Sequence, residues 1–190
     1  MNFKRAKWFI YLITAIFLLF FSNDFGLINV EKTAIVVALG IDKTENGEFD
    51  VTAQIVLPSY TKENGSNEKA TASASDKTLS GAIASIADIT GWYPKLSYCN
   101  LIILGDSFIK GDYDAMGLFT FFKDSTELQD SSFITACKGR AKELLLTLSP
   151  LDNLSSFALQ KIFFGNVNRL GYTVTSNVKD FKQGHNSVSE

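Results

Sequence analysis

Residues 33–41, TAIVVALGI, carry no charge and are rich in β-branched side chains. Such a run predicts a strand buried on both faces. The polar stretch KTENGE follows at 43–48, and its Asn46-Gly47 pair is a hairpin turn signal. In FDVTAQIVL, apolar residues at 49, 51, 53, 55 and 57 alternate with mostly polar neighbours. That period of two predicts a half-buried strand, antiparallel to the first. Residues 58–75, PSYTKENGSNEKATASAS, are polar, with Pro, Gly, Asn and Ser, and most of the stretch reads as an exposed loop. Asp76 is placed to cap a helix that runs to about Thr90 and stops at Gly91. Its apolar face carries Leu79, Ile83, Ile86 and Ala87, and its polar face Lys77, Ser80 and Asp88.

Further along, residues 96–105, LSYCNLIILG, predict a strand, and residues 107–110 a short helix that Gly111 closes. A helix is expected over 114–123, packing Met116, Leu118, Phe119 and Phe122. Residues 131–138 predict a fourth strand. Gly139 then turns the chain into a helix over 140–148 that Pro150 terminates. Residues 153–165 predict one more helix, and the polar tail 176–190 an unfinished element. Two strands in a hairpin, then strands joined by helical crossovers, define an α+β (α/β-like) class: a mixed β-sheet with helices packed on it.

The N-terminus has a different pattern. Lys4, Arg5 and Lys7 precede residues 8–21, which are apolar except for Thr14. A positive start before an apolar run marks a secretion signal or a signal anchor. The positive flank stays in the cytoplasm, so the rest of the chain is expected outside. The following SNDFGLINV has no small-residue cleavage pattern and no cysteine for a lipid, which favours an uncleaved N-terminal anchor helix. The run is nevertheless short of the roughly 20 apolar residues of a full span. The expected organisation is an anchor and linker over 1–30, a mixed α/β domain over 31–175, and the tail 176–190.

Composition narrows the function. The chain of 190 residues is 46% hydrophobic and includes 16 Phe, enough for a core. A net charge of −2 without a basic block gives no footprint for nucleic acid. His185 is the single histidine, and Cys99 and Cys137 are the two cysteines, with no CxxC spacing. The usual zinc sites need more ligands than this. The cysteines read as two small buried hydrophobes or as one disulfide, and sequence does not decide between them. Neither GxGxxG nor GxxxxGK[ST] is present. Asp42, Asp106 and Asp124 read as cap or turn residues, and Trp92-Tyr93-Pro94 as a turn with packed aromatics.

One motif suggests chemistry. Gly105-Asp106-Ser107 follows an apolar strand, which is how GDSL-type serine esterases present their nucleophile. The following helix start would face the developing oxyanion. Such a serine needs a base within hydrogen-bond reach. The only histidine is His185, and its nearest upstream acid, Asp180, is five residues away where that class has three. Gly165-Asn166-Val167-Asn168 matches the class's Asn block only loosely. The favoured reading is a strand end with Asp106 or Ser107 capping a helix. The alternative is a membrane-anchored esterase acting through Ser107. No catalytic, cofactor-binding or metal residue is assigned.

The order of segments resembles the Ger(x)C family, the C subunits of nutrient germinant receptors in endospore-forming bacteria. AIVVALGIDK at 34–43 is similar to that family's opening strand, and DVTAQIVLP at 50–58 to the strand paired with it. SYCNLIILGDSFIKG at 97–111 is similar to its strand ending in Gly and an acid before a short helix. FFKDSTELQDSSFITACKGRAKELL at 121–145 resembles the segment ending in Gly-x-Ala-x-x-(Ile/Leu)-Leu. Family members are typically lipoproteins with Cys-Trp-Asp after the signal, where this chain has Asn23-Asp24-Phe25. The resemblance covers the family's first domain. It implies a non-enzymatic subunit on the outer face of the spore inner membrane. Its partners would be a transporter-like integral membrane subunit and a further membrane subunit. Gly40, Asp42, Gly105 and Gly139 are the expected structural signatures, and no cofactor is implied.

Overall fold

The computed structural model describes residues 3–22, 33–57, 68–110, 116–147, 152, 154–165, 176–180 and 182–183. The chain separates into two units, Met1–Val30 and Glu31–Glu190. The first contains helix α1, Phe3–Ser22. Its residues from Trp8 to Leu18 expose large apolar side chains, Trp8 at 75% and Phe17 at 60%. Among the described residues no helix is long and apolar enough to cross a membrane. Lys4, Arg5 and Lys7 occupy the first turns of α1. The apolar run that remains spans about 21 Å, against a hydrocarbon core of about 30 Å.

The second unit is built on strands β1 (Thr33–Lys43), β2 (Phe49–Leu57), β3 (Glu68–Asp76), β4 (Tyr93–Lys95), β5 (Leu101–Leu104), β6 (Phe133–Ala136) and β7 (Ser176–Asn177). They form one sheet in the order β3-β2-β1-β5-β6-β7, with β4 paired to β1 off this path. β1–β2, β2–β3 and β6–β7 are antiparallel, whereas β4 and β5 run parallel to β1, and β6 parallel to β5. The helices are α2 (Leu79–Thr90), α3 (Ser107–Lys110), α4 (Met116–Asp124), α5 (Ala141–Leu146) and α6 (Ser155–Gly165). The mixed sheet with packed helices is therefore the observed class.

β1 is central, which explains its uninterrupted apolar sequence: from Val36 to Asp42 every residue is buried. Its hairpin to β2 closes through the expected Asn46-Gly47 turn, where Gly47 adopts φ +78° and donates its amide to the Thr44 carbonyl at 2.9 Å. The register jumps between Val36 and Ala38, leaving Val37 as a bulge. The bulge reverses the alternation. Ala34 and Val36 before it share one core with Leu39 and Ile41 after it. Ala38 joins the opposite core with Leu101, Ile103, Ala141 and Leu145. One face of the sheet thus meets α2 and α4, and the other meets α5 and α6.

Four expectations are corrected. Residues 68–76 are not loop but the edge strand β3, because Ala70, Ala72 and Ala74 alternate with Thr71, Ser73 and Ser75, a period of two in small residues. Residues 96–105 are not one strand: a 3-10 turn at Leu96–Tyr98 precedes the shorter β5. Tyr93-Pro94 belongs to β4 rather than to a free turn. The N-cap of α2 is Thr78, whose hydroxyl accepts the Gly81 amide at 3.0 Å. Asp76 stands two residues earlier and accepts the Thr78 amide at 2.9 Å. Gly91 ends α2 as expected, at φ +70°. Gly111, Pro150 and His185 lie outside the described residues.

The half-buried reading of β2 also changes. Its apolar residues enter the core under α2, but Asp50, Thr52 and Gln54 on the other face are buried as well. α5 and α6 cover them, and each finds a partner, as buried polar groups must. Gln54 Nε2 donates to the Leu145 carbonyl at 2.7 Å and to Ser155 Oγ at 3.0 Å, and its Oε1 accepts the Ser156 amide at 3.2 Å. The Thr52 and Ser73 hydroxyls are 2.9 Å apart.

Candidate functional site

The four expected signature residues converge on the start of α5. Asp42, 2% exposed, accepts the Ala141 amide on Oδ1 at 2.9 Å and the Lys142 amide on Oδ2 at 3.0 Å. Its carboxylate thereby satisfies two of the amides that a helix start leaves without intrahelical partners. The glycines make room for this contact. A Cβ on Gly105 would lie 1.9 Å from Asp42 Oδ1, and one on Gly40 would lie 2.9 Å from Leu145 Cδ1 and 3.2 Å from Ala141 Cβ. Gly139 takes φ +86°, and its carbonyl accepts the Asp106 amide at 2.8 Å. Arg140 pairs with Asp50, whose other oxygen accepts the Ser75 hydroxyl at 3.1 Å. Sequence reasoning missed Asp50 and Arg140. The available signal was a lone acid on the polar face of β2, which gains meaning only once that face is covered.

Ser107 stands at the start of α3, and its hydroxyl accepts the Lys43 amide at 3.0 Å. The Gly105-Asp106-Ser107 corner is tied to β1 again through the Gly105 amide, which donates to the Ile41 carbonyl at 2.9 Å. These bonds join the corner to the strand that carries Asp42. His185 lies outside the described residues. Asp180 accepts the Asn177 amide at 3.4 Å.

Both cysteines are free thiols. Burial pushes the Cys99 thiol from its ordinary 9.0 up to about 12. Cys137 is also raised, by burial first and then by the charges of Asp42 and Asp106. Neither is therefore poised as a thiolate near neutral pH. Among the described residues no three His, Cys, Asp or Glu side chains converge to hold a metal ion.

A concavity with a volume near 930 Å³ lies between α2 and α4. Leu79 and Ile83 of α2, Phe121 of α4, and Phe49 and Leu96 give it an apolar lining. One end holds Phe49, Lys77 and Gly117; a Cβ on Gly117 would meet the Phe49 ring at 3.1 Å. At the other end, Glu127 Oε2 accepts the Leu96 amide and Oε1 accepts the Tyr93 hydroxyl, each at 3.3 Å. The Glu127 charge, and then partial burial, raises the Tyr93 phenol above its ordinary value, which keeps it a neutral donor. Gln129 Nε2 donates to the Ser97 carbonyl at 2.8 Å and pins the same wall.

The sheet, its two helical layers and the Asp42 node define a mixed α+β domain. The chain matches the profile of the spore germination protein N-terminal domain across residues 27–188, and it belongs to that family, the Ger(x)C group. No curated protein matches it, and no solved structure does. Its role therefore lies in spore germination.

Proposed function

We propose that the chain is a non-enzymatic subunit of a nutrient germinant receptor. It acts through protein contacts on the outer face of the spore inner membrane, with a transporter-like integral subunit and a further membrane subunit as partners. The family match over residues 27–188 carries this reading. The signature residues support it: Gly40, Asp42, Gly105 and Gly139 build a buried joint between strand and helix, with hydrogen bonds that hold the fold together. Ser107 belongs to that joint, and its hydroxyl is an acceptor for Lys43, which favours a structural corner over a nucleophile. In this reading α1, with a basic start and exposed apolar side chains, is the segment that meets the membrane, although its apolar run is shorter than a full span.

Deleting the gene and measuring nutrient-triggered germination tests the role. A germination defect with at least one nutrient is expected. Unchanged germination with all nutrients would remove the receptor reading.

A further inference from the structure

The groove between α2 and α4 has a polarity along its length. Both helices run from the Phe49 end to the Glu127 end. Their carbonyl termini, with partial negative charge, therefore fall at the end that holds Asp88, Asp124 and Glu127. Lys77 is the one basic side chain among the lining residues, and it stands at the opposite end. Between the ends, Ile83 and Phe121 line an apolar channel, and the small exposed side chains of Ser80 and Ala84 let a second backbone approach α2 closely.

We propose that this groove docks an apolar segment of a partner protein that carries Lys or Arg at one end, with the basic end seated between Asp88, Asp124 and Glu127. The dimensions suit a chain segment. The 12 residues of α2 run about 18 Å, which accommodates about three turns of helix. The volume is at the upper end of the range for small-ligand pockets, roughly 300–1,000 Å³. The apolar floor supplies the association energy through burial, and the acidic end supplies orientation and steering. The Tyr93–Glu127–Leu96 bonds hold the acidic wall in place before a partner arrives. This inference rests on the reading of the chain as a contact subunit and specifies where one contact forms.

The test uses the full chain in non-ionic micelles and two fluorescent 12-residue peptides of the same Leu/Ala sequence, one ending in Lys-Lys and the other in Glu-Glu. Fluorescence anisotropy reads binding. The Lys-ended peptide should bind at least about tenfold more tightly, the difference shrinking with salt. Asp88→Lys with Asp124→Lys should abolish that preference. Ala84→Trp, a change at an exposed position that fills the channel, should remove binding of both peptides. Equal binding of the two peptides, or undiminished binding to Ala84→Trp, overturns the proposal. So does dimerisation of the chain that Ala84→Trp abolishes, since a second copy would then be the occupant. None of these outcomes touches germination itself, so the receptor reading stands or falls separately on the deletion strain.

Discussion

Asp42 and Asp50 are direct partners across the β1–β2 ladder, and both carboxylates are buried, 2% and 6% exposed. Like charges placed opposite each other in a sheet repel, and more so away from water. Three consecutive residues resolve the conflict. Arg140 pairs with Asp50, while the Ala141 and Lys142 amides bind Asp42. Each carboxylate thus has its own positive partner, one a guanidinium and the other a helix start.

Asp42→Ala should therefore be among the costlier polar substitutions in the domain. It leaves two amides at the start of α5 without their acceptor, one of them buried, at a cost of about 2–3 kcal/mol. Asp42→Asn keeps one acceptor and should lose about half of that. Arg140→Met should cost less than Asp42→Ala, about 1–2 kcal/mol: the half-exposed guanidinium is partly screened, but its loss leaves the buried Asp50 carboxylate opposite Asp42 with the Ser75 hydroxyl as partner. Urea unfolding of the three variants measures the order. An Arg140→Met loss equal to that of Asp42→Ala would refute it.

Gly105→Ala tests the close approach. The added methyl would sit 1.9 Å from a carboxylate oxygen that the α5 amides hold, so strand, corner and helix must separate. A loss of about 3 kcal/mol or failure to fold is expected. Gly91→Ala, at positive φ but with nothing near its would-be Cβ, should lose only about 1 kcal/mol. Thermal unfolding separates the two.

The thiols give a chemical readout. At pH 8 iodoacetamide should modify Cys137 in the folded chain, slowly because its thiol is held above the ordinary range. Cys99 should react only in urea. The stability consequence has a definite sign. Cys99 titrates near 9.0 when unfolded and near 12 when folded, so its contribution is complete below pH 9. Between pH 9 and 12 the unfolded chain releases a proton that the folded chain retains, and stability falls. The urea midpoint should drop over that window more in the wild type than in Cys99→Ala.

A fluorophosphonate probe should leave Ser107 unlabelled, since its hydroxyl serves as acceptor for the Lys43 amide. Ser107→Ala should instead lower stability by about 1 kcal/mol, the value of one hydrogen bond. Labelling that disappears in Ser107→Ala would restore the esterase reading.

The central strand, the hairpin and the helix stop at Gly91 were legible because β-branched runs, Asn-Gly and a left-handed glycine act locally. β3 was not legible, because an edge strand of Ala, Ser and Thr has the composition of a loop until a neighbour supplies its ladder. The caps show the same division. Thr78 acts within its own turn, but Asp42 caps a helix 99 residues away, and no local pattern shows that. The bulge at Val37 was hidden as well, because a fully apolar strand has no alternation to break. Gly40, Asp42, Gly105 and Gly139 were marked as signatures by resemblance alone. Their geometry supplies the reason: two glycines make space, one makes a turn, and one carboxylate closes the joint.

The most direct test of the receptor reading is affinity capture of the tagged full chain from membranes of sporulating cells, followed by mass spectrometry. A multi-span transporter-like protein and a second membrane subunit should co-purify with it, at levels well above those with an unrelated anchored domain. Recovery of the chain from the membrane fraction without either subunit would contradict the receptor reading.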